Sequence, residues 1–407
     1  MGSNWKNIPL GNLITLQRGH DLPSQDRTEG SVPIMGSSGL TGWHNQVKMS
    51  GPGVVVGRSG NSMGVVSYSE SDFWPLNTCL YVTDFKGNDV RYIYYLLQQV
   101  NFDQFNSGSA QKSLNRNAVY PFEVYATEEK EEQRAIAKLL SEFEKKITLN
   151  NQINQTLEQM AQTLFKSWFV DFDPVRQNMC NKEQVKMNGE QPKGMNAPFL
   201  SKEVASLFPE KLVESELGLI PDGWKVGTLS DVAEYCSART TIDTVTLENY
   251  ISTENMLADK KGVTAASKLP IAKTISAYKT GDILVSNIRP YFKKIWLAEG
   301  DGGRSNDVLG FESCTPNTDS YLMNFLYQDM FFEYMMRTSK GAKMPRGDKT
   351  AIMNWDMAVP PVELRQAFSA IVDPFYDLIP QNHAKNKTLK SLRDTLLPKL
   401  LSGEVEL

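Results

Sequence analysis

The feature that most limits how this 407-residue chain can fold is a helix written into it twice. "TLEQMAQTLFKSWF" begins at Thr156 and "TLKSLRDTLLPKLL" at Thr388, a shift of 232 positions that also aligns Thr163 with Thr395 and Leu164 with Leu396. Traced back in alternating steps of four and three, the first copy lays down a seam of Ile136, Leu140, Phe143, Ile147, Asn150, Asn154, Leu157, Ala161, Leu164 and Trp168. The same shift carries it through Phe368, Val372, Phe375, Ile379, Asn382, Asn386, Leu389, Arg393, Leu396 and Leu400. A period near 3.5 suits helix against helix better than helix against sheet. Leucines recur in any amphipathic helix, whereas an asparagine in a seam costs stability and fixes register or orientation. An antiparallel pair about a pseudo-twofold would set Asn150 against Asn386 and Asn154 against Asn382, because both pairs of positions share one sum, and would place Ile136 near Leu400. The plainer alternative packs each helix only on its own domain. Pro374, Pro380 and Pro398 predict breaks near Asp373 and Ile379, with an uninterrupted second helix only from about Gln381 to Leu397.

The segments before the two helices also echo one another. "NWKNIPLGNLITL" is answered by "GWKVGTLSDVAEY", "GPGVVVGRSGNSMGVVSY" by "KTGDILVSNIRPYFKKIWLA", and "GSAQKSLNRNAVYPFEV" by "GAKMPRGDKTAIMNWDMAVPPVEL". Short β-like runs and many glycines mark both as mixed domains of ordinary size. The expected class is α+β, with two pseudo-repeated mixed α/β domains separated by two long helices that pair as an antiparallel coiled coil. The layout is a first domain at 1–126, a helix at 127–172, a connector at 173–220, a second domain at 221–362 and a second helix at 363–407. The connector is rich in Asn, Gln, Lys, Met, Pro and Gly and reads as mobile or surface-hugging.

Composition narrows the class further. With 41% hydrophobic and 22% charged residues the chain is globular. No apolar run approaches the ~18–20 residues of a membrane span, and "MGSNWKNIPL" lacks an export signal, so a cytoplasmic location is expected. Cys79, Cys180, Cys236 and Cys314 lie far apart beside only three histidines, which argues for reduced thiols rather than a metal site. A net charge of −4 excludes indiscriminate coating of nucleic acid, while a site-specific binder can still gather its cations on one face.

Catalytic signatures are absent: there is no phosphate loop, dinucleotide fingerprint, nucleophile elbow or zinc-protease helix. Asp222 with Asp259-Lys260-Lys261 fits the loose P-D…D-x-K pattern of metal-dependent nucleases, but Pro221-Asp222-Gly223 is a turn signature in its own right. The only Pro-Pro, at 360–361, precedes Val362 and not the aromatic of an adenine methyltransferase. A non-catalytic chain is therefore expected, with the nuclease and a DNA-independent protein scaffold as alternatives.

What the sequence does offer is cations beside turn glycines. "RTSKGAKMPRGDK" spaces Lys340, Lys343 and Arg346 along a loop that could follow phosphates. "NIRPYFKK" combines Asn287, Arg289, Tyr291, Lys293 and Lys294, where Arg and Asn have the donors and acceptors to read guanine and adenine edges. The first domain is less basic, offering Ser37 and Ser38, Arg58 and Asn61 in "GRSGNSMG", and Gln111, Lys112, Asn115 and Arg116. Solvated charged loops and ordinary turns are the competing explanation for each.

Taken in order, "GSAQKSLNRNAVYPFEV" leading to "EEQRAIAKLL", "SELGLIPDGW", "GDILVSNIRPYFKK", "GAKMPRGDK" and "LKSLRDTLLPKLLSGEV" resemble the DNA specificity subunits of type I restriction–modification systems over nearly the whole chain. The resemblance implies two target recognition domains, each reading one half of a bipartite double-stranded DNA site, with the helices as a ruler. It implies two methyltransferase subunits binding S-adenosylmethionine and two restriction subunits using ATP and magnesium, with no cofactor on this chain. The single Pro121 departs from the commoner double proline, present at 360–361, which bears on how the first helix leaves its domain. A seam from Ile136 to Trp168 is about 48 Å long at ~1.5 Å per residue, which suits half-sites around one DNA turn apart.

Overall fold

The run Gly53-Val-Val-Val-Gly57 is buried at all five residues, as expected of a central strand covered on both faces by β-branched side chains. It anchors one half of a computed structural model that describes residues 5–108, 111–188, 200–405 and 407. The chain divides into two compact units, Met1–Asn151 with His383–Leu407, and Gln152–Asn382.

In the first unit that strand lies in a four-stranded antiparallel sheet, ordered Thr15–Arg18, Cys79–Asp84, Gly53–Gly57, Val66–Ser69. A three-stranded sheet is built from Gly39–His44, Val32–Gly36 and Trp74–Pro75, and Trp5–Pro9 pairs antiparallel with Glu123–Thr127. The helix Val90–Gln98 starts where the Asp89 carboxylate accepts from the Arg91 and Tyr92 amides, and it buries Tyr92, Ile93, Tyr95, Leu96 and Leu97.

The second unit repeats the plan. Lys225–Thr228 pairs antiparallel with Asp356–Val359, and the main sheet runs Ala233–Tyr235, Val308–Ser313, Ile283–Ser286, Ile295–Leu297. Its register is that of the first unit moved by 229 positions: Val56↔Val66 becomes Val285↔Ile295, and Val56↔Leu80 becomes Val285↔Leu309. A second sheet of four strands (Arg239–Thr241, Thr274–Tyr278, Gly302–Arg304, Tyr250–Ile251) stands where the first unit has three.

Two helices of 40 residues, Lys130–Phe169 and Val362–Leu401, each pass through both units. In the first unit Ile136 and Leu140 share a core with Leu397, Leu400 and Leu401, and Asn150 Nδ2 donates to Asn386 Oδ1 at 2.8 Å. Asn386 in turn donates to Asn151 Oδ1 at 2.8 Å. In the second unit Asn382 Nδ2 donates to Asn154 Oδ1 at 2.7 Å, while Leu164, Phe165 and Trp168 pack with Phe368 and Val372. Rising numbers on one helix meet falling numbers on the other, so the pairing is antiparallel, and the fold class is the mixed α/β arrangement with paired long helices. Arg393, at a seam position, is half-buried and reaches Glu144 at 3.8 Å.

Two sequence expectations are corrected. The second long helix has no break near Asp373 or Ile379 but runs unbroken through Pro374, Pro380 and Pro398. Pro374 and Pro398 lie on exposed positions, where a carbonyl deprived of its N–H partner can bind water. Burial of Phe368, Val372, Ile379, Leu397 and Leu400 on the opposite side outweighs a local cost of about 3 kcal/mol per proline. The segment between the halves is also more than a linker. It forms a helix, Asp173–Asn188, and a hairpin of Leu212–Ser215 with Gly218–Pro221, and it buries Val175, Phe208 and Ile220 in the second core. Residues 189–199 of that segment lie outside the described residues.

Candidate nucleic-acid interface

Each unit carries a loop at the end of its central strand, tied by the backbone to a second loop that precedes a short helix. In the first unit the strand ends at Gly57 and a 3-10 turn follows at Gly60–Ser62. Arg58 N donates to Thr78 O at 2.9 Å, Gly60 N to Lys112 O at 3.0 Å and Leu114 N to Arg58 O at 2.8 Å. The Ser37 hydroxyl also donates to Thr78 O, which brings the turn holding Ser37 and Ser38 against the same frame. Gly57 permits this closeness, since a Cβ there would meet Ser62 O at 2.0 Å and Ser37 O at 2.4 Å.

The second unit makes the same bonds with different residues. Asn287 N donates to Asp307 O at 2.8 Å, Arg289 N to Pro345 O at 2.8 Å and Gly347 N to Asn287 O at 3.1 Å. The clusters around residues 287–294 and 340–346, separate in the sequence, thus become two strands of one frame, with a bridge between Ile288 and Arg346. The short helices that follow are capped alike: Asn115 accepts from the Asn117 amide, and Asp348 from those of Thr350 and Ala351.

Side-chain commitments sort the candidates. In the first frame Lys112 Nζ pairs with Asp103 at 2.7 Å, Arg116 Nη1 donates to Leu16 O at 3.1 Å and Arg58 Nη1 to Asn77 O at 3.4 Å. Ser38, Asn61 and Gln111 are exposed. Arg58, Asn115 and Arg116 line one cleft together with Gln17 and Arg18, two residues the sequence reading missed. Their signal was slight, an Arg at the end of the strand Thr15–Arg18 immediately before Gly19.

In the second frame Lys293 Nζ and Lys260 Nζ both pair with Asp329, at 2.9 and 2.7 Å. Their hydrogen bonds hold the Asp329 carboxyl below the usual range. Lys294 Nζ donates to Thr253 O at 2.6 Å, and burial lowers its pKa. Lys340 pairs with Asp348 at 2.5 Å, and Arg346 with Asp307 at 2.8 Å. Asn287, expected to meet base edges directly, is 3% exposed, and its side chain lies under Gly347, where a Cβ would stand 2.6 Å from Oδ1. Tyr291 and Met344 are about half exposed, at 49% and 52%, and Lys343 is exposed with no ion pair among the described residues. Met344, like Phe292 at 37%, was not among the expected contacts.

The nuclease reading finds no support in the geometry. Asp222 follows the hairpin strand Gly218–Pro221 and pairs with Lys211 at 3.3 Å, while Asp259 occupies a left-handed turn with φ 56°. Among the described residues no cluster of three or more His, Cys, Asp or Glu could hold a metal ion. Among them also, no helix is long and apolar enough to cross a membrane.

The model of the family described as the type I restriction modification DNA specificity domain matches residues 2–159. The HindI specificity subunit of Haemophilus influenzae is 27% identical over 327 residues, 68% of each chain. Over residues 2–159 by the family model, and over 68% of its length by this relative, the chain resembles type I specificity subunits. The MjaIX specificity subunit of Methanocaldococcus jannaschii is 28% identical over 333 residues, covering 77% of this chain and 68% of that one. The fold agrees with the crystal structure of a type I system S subunit from M. genitalium, with a TM-score of 0.60 at 15% identity over 98% of this chain and 96% of that one. Both relatives are described as specificity subunits, and the solved structure as an S subunit.

Proposed function

We propose that this chain is a non-catalytic type I specificity subunit that reads a bipartite double-stranded DNA site, one half with the domain at 1–126 and the other with the domain at 221–362, the spacer helices setting the gap. The observation that carries the reading is the duplicated loop frame, with the same backbone bonds made at the ends of two central strands, 229 positions apart on the strand-end loop and 233 on the loop it is tied to. Two like frames on one chain suit two half-sites, and glycines at the frame let backbone approach a groove. Ser37, Ser38, Arg58, Asn61, Gln111, Lys112, Asn115 and Arg116 serve the first half. Arg289, Tyr291, Lys293, Lys294, Lys340, Lys343 and Arg346 serve the second, with Asn287 beneath them. Cations paired with an acid in the free protein exchange that partner for phosphate on binding.

The helices also offer a platform for two methyltransferase subunits, which carry S-adenosylmethionine, and through them for two restriction subunits that use ATP and magnesium. The test maps methylated adenines across the genome of cells carrying the whole system. One motif of two short blocks with a fixed gap is expected, and a seven-residue insertion in both helices should lengthen the gap and leave the bases unchanged. A gap that stays fixed while the bases change would refute the reading. Complexes that assemble normally and show no sequence preference would favour the scaffold alternative.

A further inference from the structure

The two frames need a left-handed backbone at the same two places and meet that need differently. The first places glycines there, Gly60 at φ 74° and Gly64 at φ 85°. The second places Arg289 and Lys293, each at φ 50°. Glycine is the relaxed residue for this conformation, and a bulky L-residue is strained in it. Lys293 has an evident return, since its ammonium pairs with Asp329 and its carbonyl accepts the Lys260 amide at 2.9 Å. Arg289 has none inside the chain. Its guanidinium makes no hydrogen bond or ion pair among the described residues, and its Nε is shut away from solvent without a partner.

We infer that Arg289 is the residue with which the second frame recognises a guanine, an inference that rests on the DNA-reading function proposed above and deepens it. The backbone at 289 is pinned on both sides, by its own amide on Pro345 O and by the bridge between Ile288 and Arg346, and the buried Pro290 follows it. The neighbouring cations Arg346 and Lys293 are already engaged by Asp307 and Asp329. Arg289 therefore presents a positioned fork whose two terminal nitrogens match guanine O6 and N7. Unpaired Lys343 is better suited to a phosphate, which needs charge and no fixed geometry. With Gly60 at the corresponding place, the first frame has no such fork, so the dependence falls on one half of the site.

The test selects from a pool of duplexes randomised over 20 base pairs with the full-length chain, its Arg289→Gly and its Arg289→Lys variants, and sequences what is retained. Wild type should retain a two-block motif. Arg289→Gly should lose preference at one guanine of one block, bind the wild-type motif about 5- to 150-fold more weakly, and unfold at a temperature no lower than wild type. Arg289→Lys should lose the same guanine. If wild type retains no motif, the DNA-reading function itself fails. A wild-type motif that Arg289→Gly retains with equal preference overturns only the role given to Arg289. So does an Arg289→Lys variant that keeps the guanine and changes only the salt dependence, since that assigns Arg289 to a phosphate.

Discussion

The frames at residues 57–64 and 286–293 share most of their backbone hydrogen bonds and almost none of their side chains. Gly57 answers to Ser286, Arg58 to Asn287, Gly60 to Arg289, Ser62 to Tyr291 and Gly64 to Lys293, and the amides of Gly57, Arg58 and Gly60 find the carbonyls that their counterparts find, while Gly64 N donates to Gly57 O and Lys293 N to Pro290 O. Backbone pairing is blind to side-chain identity, so a scaffold fixed in this way leaves the residues facing outward free to differ. The first frame achieves its closeness with glycine and is nearly neutral at its tip. The second admits side chains throughout and uses acids at 307, 329 and 348 to hold the cations it carries.

The sharpest way to break the comparison is at its first residue. Gly57→Ala should lower stability by about 3 kcal/mol in chemical denaturation, because the new methyl meets backbone oxygens that cannot move aside. Ser286→Ala, where a Cβ is already accommodated, should cost about 1 kcal/mol for the hydrogen bond from its hydroxyl to Ile288 O at 3.1 Å. Equal losses at the two positions would mean the frames are not equivalent. A comparable effect is expected in the helix seam. Asn150→Leu leaves Asn386 Oδ1 buried without its donor and should cost about 2 kcal/mol, whereas Asn150→Leu with Asn386→Leu should recover most of it. The Asn154–Asn382 layer should behave alike in the same denaturation measurement.

Much of this architecture was legible in the sequence because it rests on period and symmetry. The shift of 232 aligned two seams, and the asparagines in them met where a shared sum placed them, as hydrogen bonds at 2.8 and 2.7 Å. What the sequence hid depends on contacts between residues far apart. The prolines of the second long helix pointed to breaks that burial of its opposite face overrides. That Lys293 is spoken for by Asp329, or Arg346 by Asp307, required knowing how loops 36 and 39 positions away return. Asn287 looked like an adenine reader by residue type, and only the fold shows Gly347 lying over it.

Another substitution makes one frame imitate the other. Gly60→Arg should cost about 1 kcal/mol, the penalty for a left-handed L-residue, because the first frame has no feature that needs a side chain there. Thermal midpoints of Gly60→Arg and Arg289→Gly should move in opposite directions. Midpoints that both fall would show that Arg289 is held by packing rather than strained.

The smallest expected effect concerns the acid beneath the second frame. Hydrogen bonds from Lys260 and then Lys293 lower the pKa of Asp329, so its folded value lies under the unfolded value of about 3.9. A depressed folded pKa contributes stability that is present above the unfolded value and is lost as pH falls through the folded one. The side chain of Asp329 is 56% exposed, so solvent screening limits the contribution to less than about 1 kcal/mol. Urea midpoints measured from pH 6 to pH 3 should fall less steeply below about pH 4 in Asp329→Asn than in wild type. Identical slopes would mean that Lys260 and Lys293 gain nothing from this carboxylate, leaving the bond from the Lys260 amide to its carbonyl as the return for the strained backbone of Lys293.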